Sequence, residues 1–193
     1  MAVEQLIIFV KNPIPGTVKT RIARTVGNDK AAEVYRHLIA YTQSLTRMLP
    51  WHRTVYYADF VNPNDGWNSY EKQLQQGTDL GERMLNAFRE RFKAGAQRVL
   101  IIGSDCLDLR AEHLKKAFRA LDSADVVIGP TSDGGYYLLG MKQLHPFLFE
   151  NKPWSQPDLL NLTLKDLQQK GVPYALLEEL TDIDEWEDYL RYI

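Results

Sequence analysis

Three cations stand close together after the first apolar run of the chain. Lys11, Lys19 and Arg21 fall within eleven residues and follow the run 6–10 across a turn that contains Gly16. Lys19 and Arg21 are expected in the first turn of a helix, where a cation meets the positive end of the helix dipole at a cost of about 0.3–1 kcal/mol. That placement makes sense if an anion lies among them, since helix N-termini favour phosphate. The stretch predicts a phosphate site, with a solvated basic turn as the alternative.

Two carboxylates three residues apart follow a second apolar run. Asp105 and Asp108 come just after residues 99–102. Magnesium or manganese takes one or two carboxylates and completes its coordination shell with water and ligand phosphates. Asp105 is therefore predicted to bind a divalent metal. Asp108 is instead expected to N-cap a helix that begins near Arg110, an interaction worth about 1 kcal/mol.

Further acidic residues are open to two interpretations. Asp133, Gly134 and Gly135 form a sequence that favours a hairpin turn. A carboxylate beside two glycines also lets a bulky ligand approach the backbone. Asp182 and Asp184 make the only D-x-D of the chain. Asp184 is expected to cap a terminal helix, whereas Asp182 could reach the site.

The stretch 76–84 contains two glycines around a predicted helix start. Asp79 is the expected N-cap, and Gly77 and Gly81 flank it. Either close packing or the approach of a ligand base or ribose would explain both glycines. Trp154 either forms part of the surface that binds an acceptor substrate or is packed in the interior like most tryptophans.

Several well-known chemistries are excluded by pattern. A Walker loop with Lys19 as its lysine requires glycines where Pro13 and Val18 stand. No G-x-G-x-x-G follows a predicted strand, and no G-x-S-x-G is present. The four histidines have no metal-ligand spacing, and a lone Cys106 can form neither a thiolate zinc site nor an internal disulfide. We therefore expect no P-loop, dinucleotide fingerprint, hydrolase elbow or zinc centre.

Length and composition predict one domain over residues 1–193. The chain is 45% hydrophobic and 25% charged, which is ordinary for a globular protein. A net charge of −2 gives no overall field that would attract nucleic acid or an anionic membrane. The apolar runs are too short to span a bilayer, and no signal-peptide pattern opens the chain. A cytoplasmic location is the default expectation.

Apolar runs and helical periodicity alternate along the chain. The runs predict strands at 6–10, 53–58, 99–102, 126–128, 136–141 and 173–177. Apolar residues at helical spacing predict helices at 28–49, 80–92, 110–121 and 159–169, with shorter ones after a Thr17 cap and over the last ten residues. The polar stretch before Gly77 is expected to be a loop with a short helix around Tyr70.

This alternation is typical of a mostly parallel α/β sheet with helices on both faces. The Asp133-Gly134 turn adds one antiparallel hairpin, which we expect near the sheet edge. Ligands of such sheets bind at the carboxyl ends of the strands. Lys11, Asp105 and Asp133 each follow a predicted strand, and they are therefore expected to meet.

Four blocks carry a resemblance to a known family. Residues 9–23, 77–84, 103–109 and 129–141 resemble the small family of glycosyltransferase-like proteins related to 2-phospho-lactate guanylyltransferase and to nucleotide-diphospho-sugar transferases. Some members of that family are named for an association with radical-SAM proteins and arsenosugar biosynthesis. The one departure is Leu107, where the family usually has a proline in the turn behind the metal-binding aspartate.

The resemblance implies a GT-A-like nucleotide-diphospho-sugar transferase fold, a Rossmann-like mixed sheet with one nucleotide site. It implies that Lys11, Lys19 and Arg21 hold phosphates, that Asp105 binds Mg²⁺ or Mn²⁺, and that Asp133 lies at the acceptor or a second metal. We count the remaining candidates in two groups. Those on the nucleotide side are Gly16, Gly77, Asp79 and Gly81, and those on the acceptor side are Gly134, Gly135, Trp154 and Asp182.

The expected activity is transfer of a sugar from a nucleotide-diphosphate sugar to a small-molecule acceptor, with Asp105 and Asp133 as the catalytic residues. A nucleotidyltransferase that joins a nucleoside triphosphate to a phosphorylated small molecule is the alternative enzyme. The absence of a G-G-x-x-x-R-M-G opening loop favours glycosyl transfer. A non-catalytic nucleotide-binding module is a third hypothesis.

Overall fold

One mixed sheet of seven strands organises the chain, in the order β3-β2-β1-β4-β6-β5-β7. The computed structural model describes residues 3–193. The strands are β1 (Glu4–Val10), β2 (His52–Tyr57), β3 (Glu71–Leu74), β4 (Arg98–Ile102), β5 (Val126–Pro130), β6 (Tyr136–Met141) and β7 (Tyr174–Leu176). The Rossmann-like α/β architecture predicted from the sequence is confirmed.

Helices cover both faces of this sheet. The α-helices are α1 (Thr20–Val26), α2 (Asn28–Thr46), α3 (Leu80–Lys93), α4 (Ala111–Ala120), α5 (Leu159–Gln169) and α6 (Trp186–Tyr189), and two short 3₁₀ turns span Pro146–Leu148 and Leu190–Tyr192. Between residues 3 and 193, no helix is both long and apolar enough to cross a membrane.

The strands are apolar on successive residues because the sheet is buried on both sides. In β1, Leu6, Ile7 and Ile8 are all fully buried. Leu6 and Ile8 belong to the core beneath α4, and Ile7 belongs to the core beneath α3 and α5. A third apolar cluster joins α1, α2 and α6 beside the sheet. The continuous apolar run of β1 follows directly from this two-sided burial.

The hairpin predicted at Asp133-Gly134 is present near one edge of the sheet, with only the short strand β7 outside it. β6 pairs antiparallel with β5 and also with β4, so it lies inside the sheet. Leu138 and Leu139 are buried on opposite faces. A strand with apolar side chains on both faces needs helices above and below it, which the interior of the sheet provides. This explains the interior position of β6.

Two features of the polar regions differ from the sequence-based expectation. The short helix expected around Tyr70 is absent, and residues Glu71–Leu74 form the edge strand β3 instead. This strand pairs parallel with β2, and Glu71 is held by the buried side chain of Arg91 at 2.8 Å. The sequence of β3 shows no alternation of apolar and polar residues. Its conformation is therefore determined by its hydrogen bonds to β2 and by the ion pair of Glu71 with Arg91.

The predicted N-caps are wrong at three helices. Thr17 donates its hydroxyl to Ile14 O within a turn (2.9 Å), and α1 begins only at Thr20. Asp108 accepts a hydrogen bond from the Tyr192 hydroxyl (2.7 Å), while Arg110 precedes α4. The residue before α6 is Glu185, and not Asp184. Helix α2 also ends at Thr46, three residues earlier than expected.

Candidate functional site

A cleft of about 730 Å³ opens at the carboxyl ends of β1, β4 and β5. Lys11 follows β1, Asp105 follows β4 and Asp133 follows β5, and all three line this cleft. The meeting of these side chains, predicted from the strand ends alone, is therefore confirmed. The volume is within the range of small-molecule sites in proteins.

Lys19 and Asp105 form an ion pair at the centre of the cleft. Lys19 Nζ lies 2.8 Å from Asp105 Oδ1 and donates a hydrogen bond to Ile183 O (2.8 Å). The Lys19 side chain is only 8% exposed. Its backbone precedes α1 with φ at +46°, which is rare for a residue with a side chain. The turn thus aims this lysine into the protein, toward the end of β4.

The carboxylates around Lys19 keep it charged. Burial alone lowers the pKa of this ammonium group, but the adjacent Asp105 and the nearby Asp184 and Asp182 outweigh burial and raise the pKa of Lys19. Asp184 Oδ1 lies 3.7 Å from Lys19 Nζ. Arg21 is half exposed and lies 3.3 Å from the other oxygen of Asp184.

Residues 180–184 place Asp182 and Asp184 in the lining of the cleft. Ile183 N donates to Asp105 O (2.9 Å), and Ser132 N donates to Leu180 O (3.2 Å). This segment therefore bridges the ends of β4 and β5 and places Asp182 in the cleft wall. Burial first, and then the Asp105 carboxylate, raise the pKa of Asp182 to about 7.

Asp133 is held by one of its oxygens. Asp133 Oδ1 accepts hydrogen bonds from the Thr131 hydroxyl (2.6 Å) and from Gly135 N (3.1 Å). Within the part of the chain that the structure describes, no hydrogen bond to Asp133 Oδ2 is formed. Gly134 lies outside the cleft lining with φ at +88°, where a Cβ would lie 2.0 Å from Pro157 O. Gly134 therefore packs the hairpin against the next segment.

The start of α3 also lines the cleft. Asp79 lines the cleft and accepts a hydrogen bond from Glu82 N (2.8 Å), which confirms the predicted N-cap. Gly81 is buried outside the lining, and a Cβ there would lie 2.5 Å from Trp154 Nε1. Gly77 also lies outside the lining and packs against the backbone of Arg83. Close packing, one of the two alternatives left by the sequence, is sufficient to account for both glycines.

Of the remaining residues that the sequence predicts for the site, two line the cleft and one lies on the surface. Gly135 and Trp154 line the cleft. Gly16 is exposed in the turn before α1 and does not line the cleft. Trp154 also packs edge-on against Tyr136, with ring centroids 6.5 Å apart.

Sequence reasoning missed four residues that shape the cleft. Tyr35 Oη accepts a hydrogen bond from Lys11 N (2.9 Å) and lies 3.0 Å from Ser104 Oγ, so it fixes the end of β1 against the end of β4. Burial raises the pKa of the Tyr35 phenol, which therefore stays protonated. Arg83 donates to Gly77 O (3.1 Å), and Gln75 donates to Tyr56 O (3.0 Å). Arg83 stands in the first turn of a helix, where a charged side chain is ordinarily solvated, and no local signal identifies the other three residues.

Cys106 follows Asp105 in the cleft but is not poised as a nucleophile. Its thiol is buried and donates to Thr181 O (3.4 Å). Burial raises its pKa to about 12. A thiolate is the nucleophilic form of cysteine, and this environment suppresses it.

Asp105 could bind a metal ion whose coordination shell is completed by water and by a bound ligand. No group of three or more His, Cys, Asp or Glu side chains within residues 3–193 is arranged to hold a metal by itself. Asp105 Oδ1 is buried, accepts no hydrogen bond of good geometry, and has only the Lys19 ion pair. Magnesium and manganese characteristically take one or two carboxylates together with water and phosphates.

Comparison with known proteins agrees with this architecture. Residues 34–156, more than half of the chain, match the family described as "Uncharacterized protein conserved in bacteria (DUF2064)". The chain belongs to this family. No curated protein matches it.

A crystal structure from Desulfovibrio desulfuricans G20, described as a candidate nucleotide-diphospho-sugar transferase, is 33% identical. The alignment covers 100% of this chain and 87% of that one, with a TM-score of 0.91. This relative confirms the resemblance seen in the sequence and the nucleotide-diphospho-sugar transferase fold, and it supports a transferase-type enzyme.

Two more distant structures share the fold. The CMP:2-keto-3-deoxy-manno-octonic acid synthetase complexed with CTP has a TM-score of 0.61 at 9% identity, over 98% of this chain and 96% of that one. A Mycobacterium tuberculosis H37Rv protein solved with manganese has a TM-score of 0.57 at 10% identity, over 99% and 97% of the two chains.

Proposed function

We propose that this protein is a divalent-metal-dependent glycosyltransferase that takes its sugar from a nucleotide-diphosphate donor. The observation that carries the proposal is the Lys19–Asp105 pair at the strand ends, because it places a cation and a metal-type carboxylate in one cleft. The similarity to a candidate nucleotide-diphospho-sugar transferase over the full chain supports it. We further propose that residues 1–193 act as one domain and that the protein works in the cytoplasm.

The donor diphosphate lies among Lys11, Lys19 and Arg21. The Lys11 side chain is exposed at the cleft and forms no ion pair within the described chain, so its charge is available to a ligand. Arg21 is half exposed and has only the 3.3 Å contact to Asp184. Cations beside the leaving diphosphate stabilise the charge that develops there, and such electrostatic stabilisation is often the largest catalytic contribution.

Asp105 would hold Mg²⁺ or Mn²⁺ together with the donor phosphates. When bound, such an ion neutralises charge on the departing diphosphate. The distant neighbour solved with manganese supports this choice of metal. Asp184 adds negative charge near the same point, which attracts a cation.

In the transfer step an acceptor hydroxyl oxygen forms a bond to the anomeric carbon of the donor sugar. The bond between that carbon and the diphosphate oxygen breaks, and its electron pair leaves with the nucleoside diphosphate. The hydroxyl proton passes to a carboxylate of the acceptor side. Asp133 is the proposed base, because its Oδ1 is fixed by two hydrogen bonds while Oδ2 is free to take the proton.

Nucleotidyl transfer is the second candidate. The same cations would then hold a nucleoside triphosphate, a phosphorylated small molecule would attack the α-phosphate, and pyrophosphate would leave. The observation that favours it is the shared fold with a synthetase that was solved with CTP. A non-catalytic nucleotide-binding module is the third reading, and it requires neither Asp105 nor Asp133.

A thermal-shift panel separates these candidates. The purified protein is heated with UDP, GDP, UDP-sugars, GTP or CTP, each with and without Mn²⁺. A ligand present at 100 times its dissociation constant adds about 2.7 kcal/mol to the free energy of unfolding. Glycosyl transfer predicts metal-dependent shifts with diphosphates and their sugars. Shifts confined to triphosphates would favour nucleotidyl transfer, and no shift with any nucleotide would contradict the site.

A further inference from the structure

We propose that Lys19 competes with the divalent metal for Asp105, so that the metal enters the site only together with a nucleotide. The inference rests on the proposed function, because it concerns the regulation of that metal site. Lys19 is a proposed phosphate ligand and Asp105 a proposed metal ligand, yet in the structure the two side chains are bound to each other at 2.8 Å. Each must therefore leave the other before both can bind their ligands.

An ammonium group occupies the carboxylate of Asp105 where a metal ion would bind. Asp105 Oδ1 is buried, has Lys19 Nζ as its ion-pair partner, and accepts no hydrogen bond of good geometry from any group in residues 3–193. A metal ion on this oxygen has to replace the ammonium group. A divalent ion on the other oxygen of the same carboxylate would lie close to that ammonium group and would be repelled by it.

Other contacts hold the Lys19 ammonium group at this point. Its side chain is only 8% exposed, and Nζ donates a hydrogen bond to Ile183 O (2.8 Å). Asp184 Oδ1 lies 3.7 Å from the same nitrogen. A metal ion that arrives alone must therefore separate a buried ammonium group from its carboxylate, and the breaking of a buried ion pair is strongly unfavourable.

A bound nucleotide changes this balance because its diphosphate offers Lys19 a second anionic partner. Lys19 lines the cleft together with Lys11 and Arg21, the other two proposed phosphate ligands. A lysine ammonium group is a point charge with three donors on a flexible four-carbon stem, so it can turn from one anion to another without movement of the backbone. Asp105 is then free for a metal ion, and the phosphate oxygens supply further metal ligands.

Binding of the metal and binding of the nucleotide are coupled in this arrangement, and each strengthens the other by the same factor. Chelation of the metal by the phosphates also couples the two ligands, without any part for Lys19. The two causes differ in one respect. If Lys19 competes with the metal, loss of its ammonium group strengthens metal binding when no nucleotide is present, and it weakens nucleotide binding when no metal is present. A lysine that only holds phosphate produces the second effect without the first.

Titration of the protein with Mn²⁺ alone, followed by the electron paramagnetic resonance of the free ion, tests the competition. Lys19→Met and Lys11→Met remove the same charge. Lys11 is the matched control because it lines the same cleft, is exposed and forms no ion pair within residues 3–193. We expect Lys19→Met to bind Mn²⁺ at least about ten-fold more tightly than the wild type, since no ammonium group has to be displaced. Lys11→Met should differ by less than about three-fold, since salt screens an exposed charge.

Isothermal titration with UDP and GDP in the absence of metal completes the comparison, and both variants should bind more weakly than the wild type. Equal Mn²⁺ affinity in Lys19→Met and the wild type would overturn the inference, and so would an equal gain in Lys11→Met. Neither result would affect the proposed function as long as the wild type binds Mn²⁺ together with UDP or GDP. Absence of Mn²⁺ binding with every nucleotide would remove the metal-dependent function as well.

A measurement on the wild type tests the same inference if Lys19→Met fails to fold. The nitrogen NMR resonance of the Lys19 ammonium group reports its ion pair with Asp105 in solution. We expect Mg²⁺ alone to leave this resonance unshifted at a concentration that saturates the protein in the presence of UDP or GDP, and Mg²⁺ with the nucleotide to shift it. A resonance that Mg²⁺ alone shifts as strongly, or that stays unchanged when both ligands are bound, would overturn the inference.

Discussion

Lys19 Nζ lies 2.8 Å from Asp105 Oδ1 and joins the turn before α1 to the carboxyl end of β4. The sequence assigned these residues to two different ligands, a phosphate and a metal. In the structure each residue is the other's partner. Arrival of a metal-bound nucleotide is therefore expected to rearrange this pair, which makes it both a structural and a functional element of the site.

Replacement of Lys19 and replacement of Asp105 should lower the free energy of unfolding by different amounts. Lys19→Met leaves Asp105, Asp182 and Asp184 without their central cation, whereas Asp105→Asn leaves one buried ammonium but relieves the repulsion among the acids. Breaking a buried pair typically costs 3–5 kcal/mol, and the 40% exposure of Asp105 reduces this to about 1–3 kcal/mol for Lys19→Met. Urea unfolding should show the smaller loss in Asp105→Asn.

The double variant completes a thermodynamic cycle for this pair. Residues in direct contact usually show coupling energies of about 0.5–3 kcal/mol. Strictly additive losses in Lys19→Met, Asp105→Asn and the double variant would show that the ion pair makes no net contribution to stability.

Asp182 should make stability depend on pH in an unusual direction. Its pKa is raised to about 7, first by burial and then by Asp105, so the native protein holds this proton more tightly than the unfolded chain, where an aspartate has a pKa of about 3.9. Its stabilising contribution is full below about pH 4 and is lost as the pH rises toward 7. Asp182→Asn should therefore gain stability relative to the wild type between pH 4 and 7.

Urea unfolding at half-unit steps from pH 4.5 to 8 measures this difference. The gain should level off above about pH 7. Asp158→Asn, at an exposed carboxylate before α5, is measured in parallel as the control. Parallel curves for Asp182→Asn and the wild type would contradict the raised pKa.

Lys11 and Arg21 should contribute to nucleotide affinity. A hydrogen bond to a charged group is worth about 1.5–3 kcal/mol, so Lys11→Ala should weaken binding of every nucleotide roughly 10- to 100-fold. Arg21→Ala should weaken it less, because Arg21 is already in contact with Asp184. Isothermal titration measures both, with Lys115→Ala on the exposed face of α4 as the control. Unchanged affinity in Lys11→Ala would remove this lysine from the site.

Gly134 should prove to be a steric requirement of the hairpin. An alanine there has an unfavourable φ of +88° and a Cβ 2.0 Å from Pro157 O, so Gly134→Ala should lower stability and displace Asp133. Gly95 has a similar φ of +94° but open space around it, and Gly95→Ala should cost only about 1–2 kcal/mol of backbone strain. Equal melting temperatures for the two variants would show that the contact with Pro157 yields without cost.

The fold was predictable because its strands are buried on both faces. Successive apolar residues such as Leu6, Ile7 and Ile8 leave no alternative to an interior strand, and the Asp133-Gly134 turn identified the hairpin. The position of β6 between β4 and β5 was not predictable, since the order of strands along the chain does not determine which strands are neighbours in the sheet. The polar β3 was missed because Glu71 owes its place to Arg91, twenty residues later.

The site was predictable where it depends on strand ends and not where it depends on distant contacts. Lys11, Asp105 and Asp133 meet because parallel strands end at one edge. No local pattern shows that Ile183 bonds to the backbone of Asp105, or that Asp108 binds Tyr192 instead of capping a helix. The capping rule failed at Asp108 because a partner 84 residues away competed for its carboxylate.

The products of a reaction with Mn²⁺ and nucleotide-diphosphate sugars test glycosyl transfer most directly. The wild type, Asp105→Asn and Asp133→Asn are incubated with the donor that stabilises the protein and with a mixture of small-molecule hydroxyl acceptors, and mass spectrometry identifies what forms. We predict a nucleoside diphosphate and a glycosylated acceptor from the wild type, with at least a 100-fold loss of product in both variants while Asp133→Asn still binds the donor. No glycosylated product from the wild type, or full activity in Asp105→Asn, would contradict the account.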